Sequence, residues 1–187
     1  MYLVKGLEST VVITIFAVLL GVLLGFLVAI VRTTHERSGN LRILDALCNV
    51  YLTIIRGTPV MVQLLIMYFV IMIPKTDTNT IICGIITLGI NSGAYTAEIA
   101  RSGIMSISRG QFEAGRSLGF NYVQTMWYII IPQAIKNILP ALGNEMITLL
   151  KDTSLVSVIT LRDVTKQTQN IIAKTYNPFV PYICLAI

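Results

Sequence analysis

Long apolar runs separated by short polar segments dominate the sequence. The first run, Thr10 to Val31, holds 22 residues without a charge. A bilayer core about 30 Å thick requires about 20 helical residues. A shorter second run, Val60 to Ile73, is followed by a third from Asn79 to Ala100 and a fourth from Met126 to Leu150. The pattern therefore predicts an all-α integral membrane protein with several membrane-spanning helices.

Two predicted contacts lie within these runs. Gly21 and Gly25 form a GxxxG pattern, which permits close approach of a second helix. Glu98, in the third run, and Arg101, directly after it, are three residues apart, so we expect them to pair on one face of that helix.

The segment before residue 60 is less regular. Between Arg32 and Arg56, apolar residues recur at helical spacing opposite polar ones. This predicts an amphipathic helix at the membrane interface, or alternatively an extension of the next span. Thr58 is a candidate N-cap and Pro59 suits a first helical position. The run that follows, Val60 to Ile73, covers only about 21 Å as a helix, which is short for a full span.

The fifth run, Asn177 to Ile187, has 11 residues and is too short to span a bilayer. We therefore expect the last helix to be truncated in this sequence.

Composition supports a membrane protein. Charged residues make up 12% of the chain and hydrophobic residues 55%, whereas soluble domains carry about 25% charged residues. The net charge of +5 arises from basic residues between the apolar runs. No basic patch is interleaved with aromatic residues, so we expect no nucleic acid partner. The widely spaced Cys48, Cys83 and Cys184, with the single His35, predict neither a disulfide framework nor a metal site.

Arginine distribution predicts the orientation. Four arginines follow the first run and three follow the third, whereas the short loop after the second run carries only Lys75. The arginine-rich loops are expected in the cytoplasm, which places the N-terminus outside. The basic segment from Lys151 to Tyr176 would then also lie outside, which weakens the charge bias.

A polar insert, "GQFEAGRSLGFNYVQTMWYIIIPQA", interrupts the apolar pattern. Glu113, Ala114 and Gly115 are followed at fixed distances by Gly119, Ile129 and Pro132. This spacing resembles the EAA motif of bacterial ABC importer permeases, E-A-A-x3-G-x9-I-x-L-P. Gly115 replaces the third residue of that motif, and Ile131 replaces its leucine.

Longer segments carry the same resemblance. The strings "YLTIIRGTPVMVQLLIMYF", "NSGAYTAEIARSGIMSISRGQFEAGRSLGF" and "IIIPQAIKNILPALGNEMI" are similar to the polar amino acid permease branch, the histidine, glutamine and arginine permease family. With "LLKDTSLVSVI" they cover roughly residues 50 to 160. The resemblance implies a single transmembrane domain over residues 1–187, with the five-helix permease core, in the bacterial inner membrane.

The resemblance also implies a cytoplasmic coupling helix at about residues 106–119 that docks on an ATPase subunit. Phe112 is expected to insert into a pocket of that subunit, Gly119 to end the helix in a left-handed conformation, and Asn121 to cap the next helix. The implied coupling residues are Phe112, Glu113, Ala114, Gly115, Arg116 and Gly119.

The partners implied by the resemblance are two ATPase subunits, a second permease subunit, identical or different, and an extracellular or periplasmic binding protein that delivers an amino acid. The chain has no GxxxxGK[ST] phosphate loop, so ATP and Mg²⁺ are expected on the ATPase and no cofactor in this chain.

Two other functions of membrane proteins have recognisable sequence patterns. An ion-coupled secondary transporter would show repeated halves, and an intramembrane enzyme would show a nucleophile with a base or metal ligands. Neither pattern is present in the sequence, so we expect a permease without catalytic residues.

Carboxylates within the fourth run are the candidates for substrate binding. Glu145 and Asp152 are seven residues apart, so a helix places them on one face about 10 Å apart. Carboxylates at membrane depth indicate an ammonium-bearing ligand or an internal cation. Asp152 alternatively caps a helix that starts near Thr153. The expected polar pocket for a polar or cationic amino acid is completed by Asn91, Ser92 and Tyr95.

Overall fold

The computed structural model describes residues 2–186, and these residues form helices and connecting turns without any strand. Nine α-helices lie within the described residues. They are α1 (Tyr2–Ser38), α2 (Arg42–Gly57), α3 (Val60–Ile66), α4 (Asp77–Met105), α5 (Arg109–Ser117), α6 (Tyr122–Thr125), α7 (Ile131–Asp152), α8 (Val164–Thr175) and α9 (Phe179–Ala186). Turns of π-helix follow α3 at Met67–Met72 and α6 at Met126–Ile130, and a 3-10 helix, Thr153–Ile159, follows α7.

The chain forms two compact units. Unit 1 comprises Met1–Leu20, Thr58–Asn91 and Met146–Ile187, and unit 2 comprises Gly21–Gly57 and Ser92–Glu145. The core of unit 1 is aliphatic and includes Ile13, Leu64 and Leu88, each fully buried. In unit 2, Ala29, Ala100 and Ile130 are fully buried members of the main core.

Glycines allow close contacts between α1 and α4 within each unit. In unit 2, a Cβ added to Gly25 would lie 2.5 Å from the side chain of Thr96. In unit 1, a Cβ added to Gly89 would lie 2.6 Å from the Leu20 side chain. Neither distance is compatible with a side chain at the glycine. The close approach predicted from the glycines of the first run is therefore confirmed at Gly25.

Two described helices are long and apolar enough to cross a membrane, Leu3–Glu36 and Asp77–Met105. A third span results if Arg42–Gly57 and Val60–Met72 are taken together. The first and third apolar runs were correctly predicted, although both helices extend beyond the predicted ends. α7 covers most of the fourth run, and α9 contains eight residues of the fifth.

The predicted Thr58 cap is wrong by one residue. Pro59 occupies the N-cap position of α3, and no side chain caps this helix. Thr58 instead accepts a hydrogen bond from Gln63 Nε2 through its hydroxyl oxygen, at 2.7 Å. The start of α3 is thus fixed by a side chain of its own first turn.

Candidate functional site

The polar insert forms a short helix with defined ends. The Ser108 hydroxyl accepts a hydrogen bond from Gly110 N–H at the start of α5. At the other end, Gly119 has a φ of 82°, and Phe120 N–H donates to Gly115 O at 3.0 Å. The left-handed glycine ending was therefore correctly predicted. α5 is shorter than the predicted segment 106–119, because residues 106–108 precede its first turn.

The chain leaves α5 through a second well-defined cap. Asn121 Oδ1 accepts from Gln124 N–H at 2.9 Å, and Gln124 Oε1 accepts from Asn121 N–H at 3.0 Å. This reciprocal capping box confirms Asn121 as the cap of the next helix. Because both ends of the connection are fixed, the orientation of α5 is set by local contacts.

α5 presents different residues on its two faces. Gly115 is buried, and a Cβ there would lie 2.7 Å from Thr125 Cγ2. Phe112 is partly buried against the core of its own unit, whereas Glu113, Ala114 and Arg116 are exposed. Insertion of Phe112 into a pocket of an ATPase subunit stays a prediction.

A cavity of about 420 Å³ lies beside α5. It is walled by the end of α1, the end of α4, α5 itself and α6. Its charged lining residues are Glu36, Arg109, Glu113 and Arg116, and Met105 contributes the last residue of α4. The ends of α1 and α4 and three of the predicted coupling residues, Phe112, Glu113 and Arg116, therefore line one cavity.

In unit 2, the middle of α4 contacts the predicted substrate carboxylate. The Ser92 hydroxyl donates to Glu145 Oε1 at 2.9 Å, and Ser92 is only 3% exposed. One turn later, Tyr95 is 39% exposed, and the Arg56 guanidinium lies 5.7 Å from its ring centroid. Three residues of the predicted pocket, Ser92, Tyr95 and Glu145, thus belong to one unit.

The other two candidates lie in unit 1. Asn91 is buried and donates to Gln63 Oε1 at 3.0 Å. Asp152 is half-buried at the last position of α7 and makes no capping hydrogen bond to the 3-10 helix that follows. The alternative that Asp152 caps a new helix is therefore wrong. A pocket that joins Asn91 and Asp152 to the residues of unit 2 stays a prediction.

The predicted pair of Glu98 and Arg101 is confirmed, and Glu98 has further partners. Arg101 donates to Glu98 through both Nε and Nη2. Glu98 Oε2 also accepts a hydrogen bond from Arg32 Nη1 at 3.4 Å and lies 3.7 Å from Arg56 Nη1. Arg101 Nη1 in turn contacts Glu36 at 3.2 Å.

Comparisons with known proteins identify the family of this chain. A sequence model described as "Binding-protein-dependent transport system inner membrane component" matches residues 17–187. The chain belongs to this family. Its members are the permease component of transporters and are not enzymes, and the ATPase of such systems is a separate subunit.

Curated relatives cover the whole chain. A putative glutamine transport system permease protein GlnP from Rickettsia prowazekii is 36% identical over 187 residues, which is 100% of this chain and 84% of the relative. The glutamine transport system permease protein GlnP of Escherichia coli K12 is 35% identical over 99% of this chain and 83% of its own length.

Solved structures share the fold. A crystal structure of an amino acid ABC transporter with histidines has a TM-score of 0.88 and 43% identity, covering 99% of this chain and 84% of that one. An inward-facing structure of the MetNI methionine ABC transporter has a TM-score of 0.81 at 19% identity, over 98% of this chain and 86% of that chain, and supports the fold alone. The predicted all-α permease fold is therefore confirmed.

Sequence reasoning missed most of the ion pairs around Glu98. Arg32 is 66 residues away along the chain, so no local pattern connects the two. The arginines of the first polar loop were interpreted as orientation signals, and their pairing was not predicted. Among residues 2–186, no cluster of three or more His, Cys, Asp or Glu side chains is arranged to hold a metal.

Proposed function

We propose that this permease is the membrane subunit of an ATP-driven importer of polar amino acids. The observation that carries the proposal is the similarity over the full chain to permeases named for glutamine transport and to an amino acid ABC transporter. The importer would contain two permease subunits, two ATPase subunits that bind ATP and Mg²⁺, and an external binding protein.

α5 is the proposed contact with the ATPase. Its exposed face carries Glu113 and Arg116, and its ends are fixed by Ser108 and by Gly119. A short helix held at both ends can transmit a push or a rotation, whereas a flexible loop would absorb it. α5 lies in the cytoplasm in this proposal, because the arginine-rich loops predict that orientation.

Glu145 is the proposed partner of the substrate ammonium group. Ser92 fixes the orientation of its carboxylate through the hydrogen bond within unit 2. A carboxylate in a membrane-spanning region is energetically expensive and is usually retained for function. The glutamine permeases among the relatives favour a neutral polar substrate. A second carboxylate, Asp152, would instead favour a cationic one.

The experiment is reconstitution in proteoliposomes with the cognate ATPase subunit and binding protein. ATP-dependent uptake of labelled glutamine, arginine and histidine is measured with and without the ATPase. Uptake is expected only when the ATPase and ATP are both present. Uptake driven by an ion gradient without the ATPase would contradict the proposal.

Two variants refine the result. Glu113→Lys reverses an exposed charge on α5 and is expected to weaken ATPase association while membrane insertion remains normal. Asp152→Asn distinguishes the substrates: a selective loss of arginine and histidine uptake would assign Asp152 to a cationic side chain. An equal loss of uptake for all three amino acids would show that Asp152 does not recognise a cationic side chain, and the relatives would then favour glutamine.

A further inference from the structure

Six charged side chains form one cluster in unit 2, and we refer to it as the arginine–carboxylate cluster. It contains three cations and three anions, so its formal charge is balanced. Its members come from α1, α2 and α4, and each takes part in at least one ion pair no longer than 3.7 Å. The members are Arg32, Glu36, Asp45, Arg56, Glu98 and Arg101.

Glu98 is the centre of this cluster. It contacts arginines from three helices: Arg32 of α1, Arg56 of α2 and Arg101 of α4. The Glu98 side chain is 28% exposed and that of Arg32 is 18% exposed, so solvent screens these charges only in part. α4 is thereby fixed to α1 and α2 at one point along its length.

Contacts follow α4 at intervals of three or four residues on either side of Glu98. Ser92 binds Glu145, Tyr95 faces the Arg56 guanidinium, and Arg101 binds Glu36. Met105 and Glu36 then line the cavity beside α5. From Ser92 to Met105 the helix axis covers about 20 Å, so α4 connects the Glu145 hydrogen bond to the coupling residues within one unit.

The cluster can orient α4 as well as stabilise it. An isolated ion pair at a partly exposed position contributes about 0–1 kcal/mol, and most of a helix in a membrane is held by packing. A balanced network of six charges instead fixes the rotation and the height of a helix, since several directional contacts must be satisfied together. Because the cluster lies between Ser92 and α5, fixing α4 there affects both the Ser92–Glu145 contact and the cavity beside α5.

We propose that Arg101, which Glu98 holds in place, is a positioning residue that couples the α5 cavity, through Glu36, to the Ser92–Glu145 contact. When α5 moves on the ATPase, the end of α1 carries the movement to Arg101, and α4 carries it to Ser92. This inference rests on the proposed function, because it requires an ATPase that acts on α5.

A double-mutant cycle tests the coupling. Glu36→Gln, Arg101→Gln and the double variant are reconstituted with the ATPase subunit and binding protein, and substrate transported per ATP hydrolysed is measured. Networks of this kind modulate coupling by about two- to thirtyfold, and each single variant is expected to lower the ratio within that range. The double variant should be no worse than the more affected single variant.

Controls separate positioning from folding. Arg42→Gln removes one positive charge from α2 at an exposed position that takes part in none of the cluster's ion pairs and should keep the wild-type ratio. Arg101→Lys retains the charge but loses the planar two-point contact, so it should restore part of the ratio lost in Arg101→Gln. Thermal midpoints in detergent are recorded for every variant.

Distinct outcomes overturn distinct conclusions. If the wild type takes up no substrate with ATPase and ATP present, the proposed function fails, and this inference with it. If the wild type transports but Glu36→Gln and Arg101→Gln keep its ratio, or if their effects add, only the positioning role is wrong. Loss of folded protein in both Glu36→Gln and Arg101→Lys would assign the cluster to stability alone and also overturn the role.

Discussion

The Ser92 hydroxyl on α4 and the Glu145 carboxylate on α7 are joined by a hydrogen bond of 2.9 Å, although 53 residues separate them in the chain. Serine is a neutral donor that orients a carboxylate without neutralising it. The hydrogen bond therefore sets the orientation of the carboxylate that we propose as the partner of a substrate ammonium group.

Replacing Glu145 by Gln removes that charge with little change in shape. Because a hydrogen bond to a charged group contributes about 1.5–3 kcal/mol, we expect the KM for uptake to rise by about tenfold or more. Ser92→Ala should raise it less, since the carboxylate remains. Glu8→Gln, an exposed carboxylate of unit 1, is the matched control. Uptake with a wild-type KM in Glu145→Gln would exclude this residue from the substrate site.

Gly115→Ala is expected to destabilise the contact between α5 and α6. The added Cβ would lie 2.7 Å from Thr125 Cγ2 and 2.8 Å from Thr125 Oγ1, and Thr125 is itself held by a hydrogen bond to Asn121 O. Overpacking of this kind costs about 1–3 kcal/mol, which a lower thermal midpoint in detergent would report.

Two variants test that interpretation. Thr125→Ala added to Gly115→Ala removes both close atoms and should recover part of the lost stability. Gly143→Ala, in α7, meets no atom within 4 Å and should raise the midpoint, because alanine favours a helix. Equal midpoints for Gly115→Ala and Gly143→Ala would show that Thr125 does not restrict the position.

Gly119 tests the left-handed end of α5. Nothing lies within 4 Å of a Cβ at this position, so the penalty for another residue arises from the backbone alone. Gly119→Val should cost at least about 1 kcal/mol and reduce transport per ATP hydrolysed, whereas Gly119→Asn should be tolerated better. Equal transport by the Val and Asn variants at equal expression would show that coupling does not depend on the left-handed conformation at residue 119.

Asp163 gives a pH-dependent prediction for the start of α8. The carboxylate accepts from Lys166 N–H at 2.9 Å and Thr165 N–H at 3.2 Å, yet it is 1% exposed. Burial raises the pKa of Asp163 above its ordinary value, while the backbone hydrogen bonds lower it. The folded state therefore favours the protonated form, and this stabilisation is lost as the pH rises through the raised pKa.

Asn and Ala replacements separate charge from capping at this site. Asp163→Asn keeps the acceptor without the charge. Its thermal midpoint should therefore rise relative to that of the wild type as the pH rises from acid to neutral. Asp163→Ala also loses the cap, which costs about 1 kcal/mol, so its thermal midpoint should lie below that of Asp163→Asn at every pH. A constant difference between wild type and Asp163→Asn across the pH range would contradict the role of burial.

Cysteine labelling tests the orientation. In a background lacking Cys48, Cys83 and Cys184, a cysteine at the exposed Arg109 position should react only with cytoplasmic reagents. A cysteine at the exposed Thr78 position should react from outside. Labelling of the Arg109 position from outside in sealed cells would reverse the topology and remove α5 from reach of a cytoplasmic ATPase.

The parts of the fold that local chemistry determines were predictable. The left-handed helix end at Gly119 and the cap at Asn121 were predicted correctly, because a helix end depends on the few residues around it. The Glu98–Arg101 pair is predictable for the same reason, since three residues make almost one helical turn. Arg32, Arg56 and Glu36 approach this pair only after α1, α2 and α4 pack together, and a single sequence carries no signal of that packing.

Asp152 illustrates a different limit. Its polar side chain before Thr153 resembles the start of a new helix, but α7 continues directly into the 3-10 helix. There are then no unsatisfied N–H groups for a cap, because the preceding turn supplies their acceptors. A cap residue therefore identifies a helix start only where the preceding chain is extended.

The two π-helical turns affect how sequences of this family can be aligned. Each N–H in such a turn bonds to a carbonyl five residues back instead of four, so Met67–Met72 and Met126–Ile130 each hold one residue more than an α-helix would in the same place. Removing one residue from Met126–Ile130 would restore α-helical pairing and leave α6 and α7 facing their present neighbours, whereas the turn at Met67–Met72 ends at Ile73 with no helix directly after it. A single-residue deletion within Met126–Ile130 is thus one that a homologous chain could accept without repacking the core around α7.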